Sequence, residues 1–208
     1  VAGPWAERDI AAAEAVHEGW GQRPLFRVWD DDAALIRALA ARGYAPEVPT
    51  LVLETGALAL VDPPLPVMRC FALWPPLAIQ RQIWAEGSIT PARQAVMARV
   101  ALPKAAILAR VADRAAGAGF VALSGEVAML HAVEVVPAFR RKGVGTWIVR
   151  QAAEWAAERG ARRLALAVSR ANAGARALYA GLGFREAGGY ACCGRPAQPT
   201  FGRAQADA

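Results

Sequence analysis

The stretch Arg140-Arg141-Lys142-Gly143-Val144-Gly145-Thr146 stands between an apolar run, Val127 to Val136, and an amphipathic helical pattern, and this order constrains the fold more than any other part of the chain. Val144, Trp147, Ile148, Gln151, Ala152, Trp155 and Ala156 recur on one helical face, Arg150, Glu154 and Glu158 lie on another, and Gly160 supplies the stop. Two glycines two positions apart remove the Cβ atoms that would hold an anion away from the main chain, so several N–H groups can converge on it. Those amides are also the unpaired donors of a first helical turn, where the macrodipole favours negative charge by roughly 0.3–1 kcal/mol. Arg140, Arg141 and Lys142 add positive charge beside them. The stretch reads as a backbone cradle for a diphosphate; the plainer alternative is a turn with a helix cap.

The sequence downstream of Gly160 decides between the two. Leu164 to Val168 is a short apolar run with the character of a buried strand. Asn172 then caps a helix whose apolar positions include Ala175, Leu178, Tyr179 and Leu182, and Gly183 closes it. The order is strand, glycine turn, helix, strand, helix, strand. Arg140-x-x-Gly143-x-Gly145, followed by Asn172, Ala175, Leu178, Tyr179, Gly183 and Phe184 at their spacings, resembles the GCN5-related N-acetyltransferase (GNAT) superfamily. The resemblance covers residues 67 to 195 and implies an α/β (α+β) fold with a mixed central sheet flanked by helices. It also implies acetyl-CoA as co-substrate, with no metal, and transfer of an acetyl group to a primary amine by direct attack. A non-catalytic acyl-CoA sensor would use the same cradle and is the rival reading.

Composition sets the remaining bounds. A chain of 208 residues with 55% hydrophobic and 20% charged side chains is globular. No apolar run approaches the roughly 20 residues that cross a bilayer, and no secretory pattern opens the chain, so a soluble cytoplasmic protein with no membrane partner is expected. Cys192 and Cys193 are adjacent and Cys70 is distant, which fits neither a disulfide framework nor a zinc site. The formal charge of +6 invites a nucleic-acid partner, but the basic residues are scattered and carry no aromatic interleaving, and CoA accounts for part of the excess. No nucleic-acid partner is expected, and nothing in the sequence sets the oligomeric state.

Shifted by 140 positions, the C-terminal motif finds an echo. Asp32 falls on Asn172, Leu35 on Ala175, Leu39 on Tyr179, Gly43 on Gly183 and Tyr44 on Phe184, while Pro24 to Trp29 falls on the strand that begins at Leu164. A helix from Asp9 to Gly19 precedes it. The expectation is a degenerate GNAT-like unit over residues 1–66, lacking the glycine turn, followed by a catalytic domain over 67–208, with Pro63-Pro64-Leu65-Pro66 as the stiff boundary. The competing account is chance similarity between two generic helix–strand units. In the second part, a strand is expected over Val67 to Trp74 and a helix from Pro75-Pro76 to Glu86. Another helix starts at Thr90-Pro91, and strands follow over Ala105 to Val111, Ala116 to Leu123 and Val127 to Val136, the last two joined at Ser124-Gly125.

Acetyl transfer from a thioester to an amine needs the amine neutral, the carbonyl oxygen stabilised as it gains charge, and a proton for the leaving thiolate. The resemblance implies Tyr179 as the proton donor. For the base, the strand before the glycine turn offers His131 first, since imidazole titrates near neutrality, and Glu134 second. Odd and even positions face opposite sides of a regular strand, so these two share one cleft only if a bulge intervenes. The structural alternatives are a half-buried hydrogen-bonded histidine and a Glu134 paired with a neighbouring arginine. By resemblance, backbone groups of Val135 and Val136 bond the pantetheine arm, Arg140, Arg141, Lys142, Gly143, Val144, Gly145 and Thr146 hold the diphosphate, and Asn172 contacts the arm. Trp74-Pro75-Pro76 and Trp84 to Ile89 belong either to the acceptor pocket or to the core. Small amines and peptides both remain open as acceptors.

Overall fold

Asp9 accepts a hydrogen bond from the Ala6 amide at 2.8 Å and closes the start of the first helix, α1, Glu7–Gly19. The computed structural model describes residues 5–66 and 68–196, and its chain clusters into two compact units, residues up to 50 with those from 189 on, and residues 51–188. The first unit holds α1, strand β1 (Leu25–Trp29), helix α2 (Ala33–Ala41), and the opening of strand β2 (Ala45–Gly56). It also takes the end of the last strand, which pairs antiparallel with β1 from Leu25↔Gly194 to Trp29↔Tyr190. Ile10, Val28, Leu39, Tyr44 and Cys193 form its core. Beside that core the Glu14 carboxylate accepts from the Tyr44 hydroxyl at 2.8 Å and from Arg195 at 2.7 Å. Cys193 is therefore a core thiol.

The boundary between the two compact units falls inside two strands, at residues 50–51 and 188–189. Proline stiffens a connection, but strand pairing decides which residues cluster.

In the second unit the remaining elements follow as β3 (Cys70–Leu73), α3 (Ala78–Glu86), α4 (Pro91–Arg99), β4 (Lys104–Val111), β5 (Arg114–Ser124), β6 (Val127–Val135), α5 (Val144–Ala157), β7 (Arg163–Ser169), α6 (Ala173–Gly181) and β8 (Arg185–Gly194). The expected first strand is shorter than its apolar run: it starts at Cys70, and Val67 lies outside the described residues. The helix starts follow local chemistry. Gln80 accepts from the Leu77 amide at 2.9 Å ahead of α3, and Thr90 caps α4 with Pro91 in its first turn. Sheet order here is β2-β7-β6-β5-β4-β3, with β6 and β7 parallel and the pairs β3/β4, β4/β5 and β5/β6 antiparallel, a mixed sheet.

Alternation along the strands sends two sets of side chains to two faces. Ile107, Val121 and Leu130 join Val144, Ile148 and Tyr179 in one cluster, whereas Ala106, Ala118 and Phe120 join Ile83, Trp84 and Met97 in the other. Helices α5 and α6 thus cover one face and α3 and α4 the opposite one. On β5 a Cβ at Gly119 would stand 2.6 Å from the Ile148 Cγ2, so the glycine is what lets α5 lie this close to the sheet. Among the described residues no helix is long and apolar enough to cross a membrane.

Candidate active site

Every residue singled out for chemistry lies in the second unit. The glycine turn is built as its sequence predicts. Gly143 is the N-cap of α5 at φ 80°, a left-handed conformation that opposes a side chain, and Arg141 just before it has φ 62°. No side chain caps this helix, and its first intrahelical bond is Trp147 N–H to Gly143 O at 3.0 Å. The amides of Val144, Gly145 and Thr146 therefore have no acceptor in the helix and face outward from a positive dipole end. Gly145 serves a different need from Gly143: a Cβ there would meet Leu178 Cδ2 at 3.0 Å, so its absence lets α6 pack against the opening of α5. The three cations are not equivalent. Arg140 turns back to donate to the Val135 carbonyl at 3.3 Å, and Lys142 stacks over the Phe139 ring at 5.5 Å.

Next to the turn the sheet opens. The parallel ladder of β6 with β7 runs only from Val127↔Arg163 to Leu130↔Leu166, leaving His131 to Val135 without a β7 partner. The Val136 amide donates to Ala116 O at 2.9 Å and the Val136 carbonyl accepts from Phe139 at 2.8 Å. Alternation then points the Val135 amide toward the opening. The Val135 amide is thus directed at the gap, whereas Val136 is committed to the neighbouring strand and to the turn that comes after it.

The middle of β6 carries a bulge. Ala118 faces Glu134 and Phe120 faces His131, so two steps of β5 match three steps of β6, and Ala132 takes φ 52°. The Trp84 indole N–H fastens the bulge by donating to Ala132 O at 2.8 Å. Its consequence is a change of parity. His131 and Glu134, which a regular strand would send to opposite sides, both face α3 and α4, with Ala118 and Phe120. The bulge brings them to one face of the sheet, where they line neighbouring cavities, Glu134 with Val135 and Arg140, and His131 with Arg93 beneath α4.

Among the described residues Glu134 has no arginine partner of the kind expected for a structural carboxylate. Its Oε1 accepts from the Ser88 amide at 3.0 Å and the Ser88 hydroxyl at 2.7 Å. Gly87 makes this approach possible, since a Cβ there would stand 2.5 Å from the carboxyl carbon. Neither Ser88 nor its role is visible in the sequence, because only the fold of α3 onto β6 brings them together. His131 lines a cavity beneath α4, and its pKa is lowered first by burial and second by the positive charge of Arg93. His131 is exposed at the rim of that cavity, and both effects act in favour of the uncharged imidazole.

Tyr179 sits on the other face. It is 7% exposed on α6, its ring 5.6 Å from that of Phe184, and burial pushes its phenol up to about 12. Its hydroxyl stays protonated across the working pH range. Asn172 caps α6 by accepting from the Ala175 amide at 3.0 Å, a local duty that already accounts for it. Trp84 is fully buried, which resolves the choice left open for it in favour of the core; Trp74 is 36% exposed, with Lys104 over its ring at 4.4 Å. Among the described residues no group of three or more His, Cys, Asp or Glu side chains gathers to hold a metal.

Comparison with known proteins agrees with this arrangement. The acetyltransferase (GNAT) family matches residues 79–184. Aminoglycoside N(6')-acetyltransferase type 1 of Klebsiella aerogenes is 30% identical over 134 residues, covering 58% of this chain and 88% of that protein. Among solved structures, a GCN5-related N-acetyltransferase from Kribbella flavida superimposes with a TM-score of 0.71 at 18% identity, over 94% of this chain and 79% of that one. A tandem GNAT protein from the clavulanic acid biosynthesis pathway superimposes with a TM-score of 0.65 at 16% identity, over 88% of this chain and 67% of that one. These two show the fold. With its α5 turn, its opened β6–β7 ladder and the family match over half its length, the chain is an acetyltransferase enzyme and belongs to the GNAT family.

Proposed function

We propose that this enzyme transfers the acetyl group of acetyl-CoA to the primary amine of an acceptor by direct attack. The observation that carries the reading is the adjacency of two unfilled donor sets on one stretch of chain, the outward amides opening α5 and the backbone of β6 beyond Leu130, where β7 no longer pairs. The first set suits a diphosphate and the second an amide-bearing arm laid alongside a strand. His131, on the α3/α4 face with its pKa lowered, accepts the amine proton; Glu134, its carboxylate fixed by Ser88, is the second acceptor or holds a water on that route. As the amine nitrogen bonds to the carbonyl carbon, the Val135 amide offers its hydrogen to the oxygen gaining charge. The carbon–sulfur bond breaks, and the departing sulfur takes the proton of the Tyr179 hydroxyl. The products are the acetamide and free CoA. Thiol release from acetyl-CoA, measured with a panel of amines, amino acids and peptides, tests this. Release that depends on one class of amine supports it, whereas saturable CoA binding without release from any acceptor contradicts it.

We further infer that the first unit is a degenerate copy of the C-terminal half of the second. Residues 31–50 and 171–190 carry the same succession of turn, nine-residue helix, turn and strand at a constant offset. Asp32 caps α2 through the Leu35 amide as Asn172 caps α6 through Ala175, both at 3.0 Å, and Gly43 and Gly183 close them at φ 81° and 78°. At the position of Tyr179 stands Leu39, 1% exposed. The copy keeps the packing and lacks the hydroxyl. The tandem GNAT protein of similar fold is consistent with this origin.

A further inference from the structure

The second unit contains a cavity of about 470 Å³ between α4 and the strands β5 and β6, well within the size of small-molecule sites. Phe120, Met129, Met97 and Val96 form apolar walls, and the polar groups are Arg93, Ser124 and His131; no carboxylate lines it among the described residues. Val96 and Leu102 remain 54% and 47% exposed at its rim, so apolar surface is open to a ligand. Arg93 is the permanently charged side chain of the described lining, and it makes no ion pair among the described residues. A polycation entering here would meet like charge and find no carboxylate to pair with, a cost that discriminates against it.

Resting on the acetyl-transfer reading, we propose that this cavity receives the acceptor, and that the acceptor is a primary amine with an apolar body and a carboxylate, of the hydrophobic amino-acid type. The carboxylate pairs with Arg93, the apolar body lies against Phe120 and Met129, and the amine nitrogen faces His131. The acceptor class named for the Klebsiella relative, an aminoglycoside, carries several positive charges and does not suit this lining.

The test uses the full chain, acetyl-CoA, and matched acceptors: L-phenylalanine, L-leucine and L-methionine against the decarboxylated amine of each, with kanamycin and spermidine as polycations. The best amino acid should exceed its decarboxylated counterpart in kcat/KM by about tenfold or more, the scale of one charge-assisted hydrogen bond. Arg93→Leu should bring that ratio to about one and Arg93→Lys should keep most of it. Faster turnover of kanamycin or spermidine, or an unchanged ratio in Arg93→Leu, overturns the proposal. If no acceptor of any class releases thiol while CoA still binds, the acetyl-transfer reading has failed instead. The cavity is then judged by calorimetric titration of the N-acetyl derivatives of the same amino acids into CoA-saturated protein, where binding lost in Arg93→Leu supports the proposal and no binding overturns it.

Discussion

Tyr179 and His131 show what a single side chain acquires from its surroundings. Burial against Phe184 holds the Tyr179 phenol protonated, so its hydroxyl is kept as a hydrogen-bond donor while it becomes a weaker acid than free tyrosine. Tyr179→Phe should lower kcat by about 10²-fold, at the lower end of what a positioned acid contributes, with CoA affinity changed by less than about twofold. Unchanged turnover in this variant removes the hydroxyl from the mechanism. His131 has its pKa lowered, so the imidazole is available as a base throughout the neutral range and loses that capacity only on acidification. The acidic limb of kcat/KM should therefore lie below the usual imidazole value and be absent or displaced in His131→Ala; an identical limb in both would assign the titration elsewhere. The same sign governs stability: a lowered folded-state value means full stability above the unfolded value, lost as pH falls through the folded one. Residue types were legible in the sequence at this scale, since Tyr179 and His131 stand out among apolar neighbours. Ser88 and Arg93 were not, because each acquires its role from a contact across tens of residues.

At the scale of elements, the β6 bulge does the most to shape the site. Periodicity alone sends His131 and Glu134 apart, and the inserted step at Ala132 returns them to one face. A bulge leaves no clear mark in an apolar run such as Val127 to Val135, so pattern reading could name it only as a condition. Trp84 is its anchor, through the bond to Ala132 O. Trp84→Phe keeps most of the buried volume and removes that bond, and should cost about 1 kcal/mol in stability. Turnover should fall more than that figure implies, because the two ionisable groups lose their common orientation. Thermal unfolding and kcat measured on the same preparation would check this, and a stability loss with kcat intact would show that the bulge holds without its anchor. The glycine turn, by contrast, was legible as a turn opening a helix. Gly143 adopts the left-handed conformation that only its lack of a Cβ makes inexpensive, and Gly145 has a reason the sequence hid, the approach of Leu178.

For the molecule as a whole, the family assignment, the mixed sheet and the order of elements in the second unit followed from two motifs and their spacing, because the cradle and the α6 helix impose residue types that few other folds need together. The two compact units have a different physical origin. A proline cluster marks a stiff connection, while the pairing that assigns residues 189–194 to the first unit is a property of β1 as a partner. Everything chemical in the account depends on the amides that open α5 gripping the diphosphate of an acyl-CoA. Calorimetric titration of CoA into wild type and Gly143→Ala tests that directly, since a Cβ at this position has room beside the Trp147 ring and acts only by opposing the left-handed conformation. The account predicts saturable one-to-one binding to wild type, weakened by about tenfold in the variant, the scale of that conformational cost. No binding to the wild-type protein, or equal affinity in the two, would contradict it.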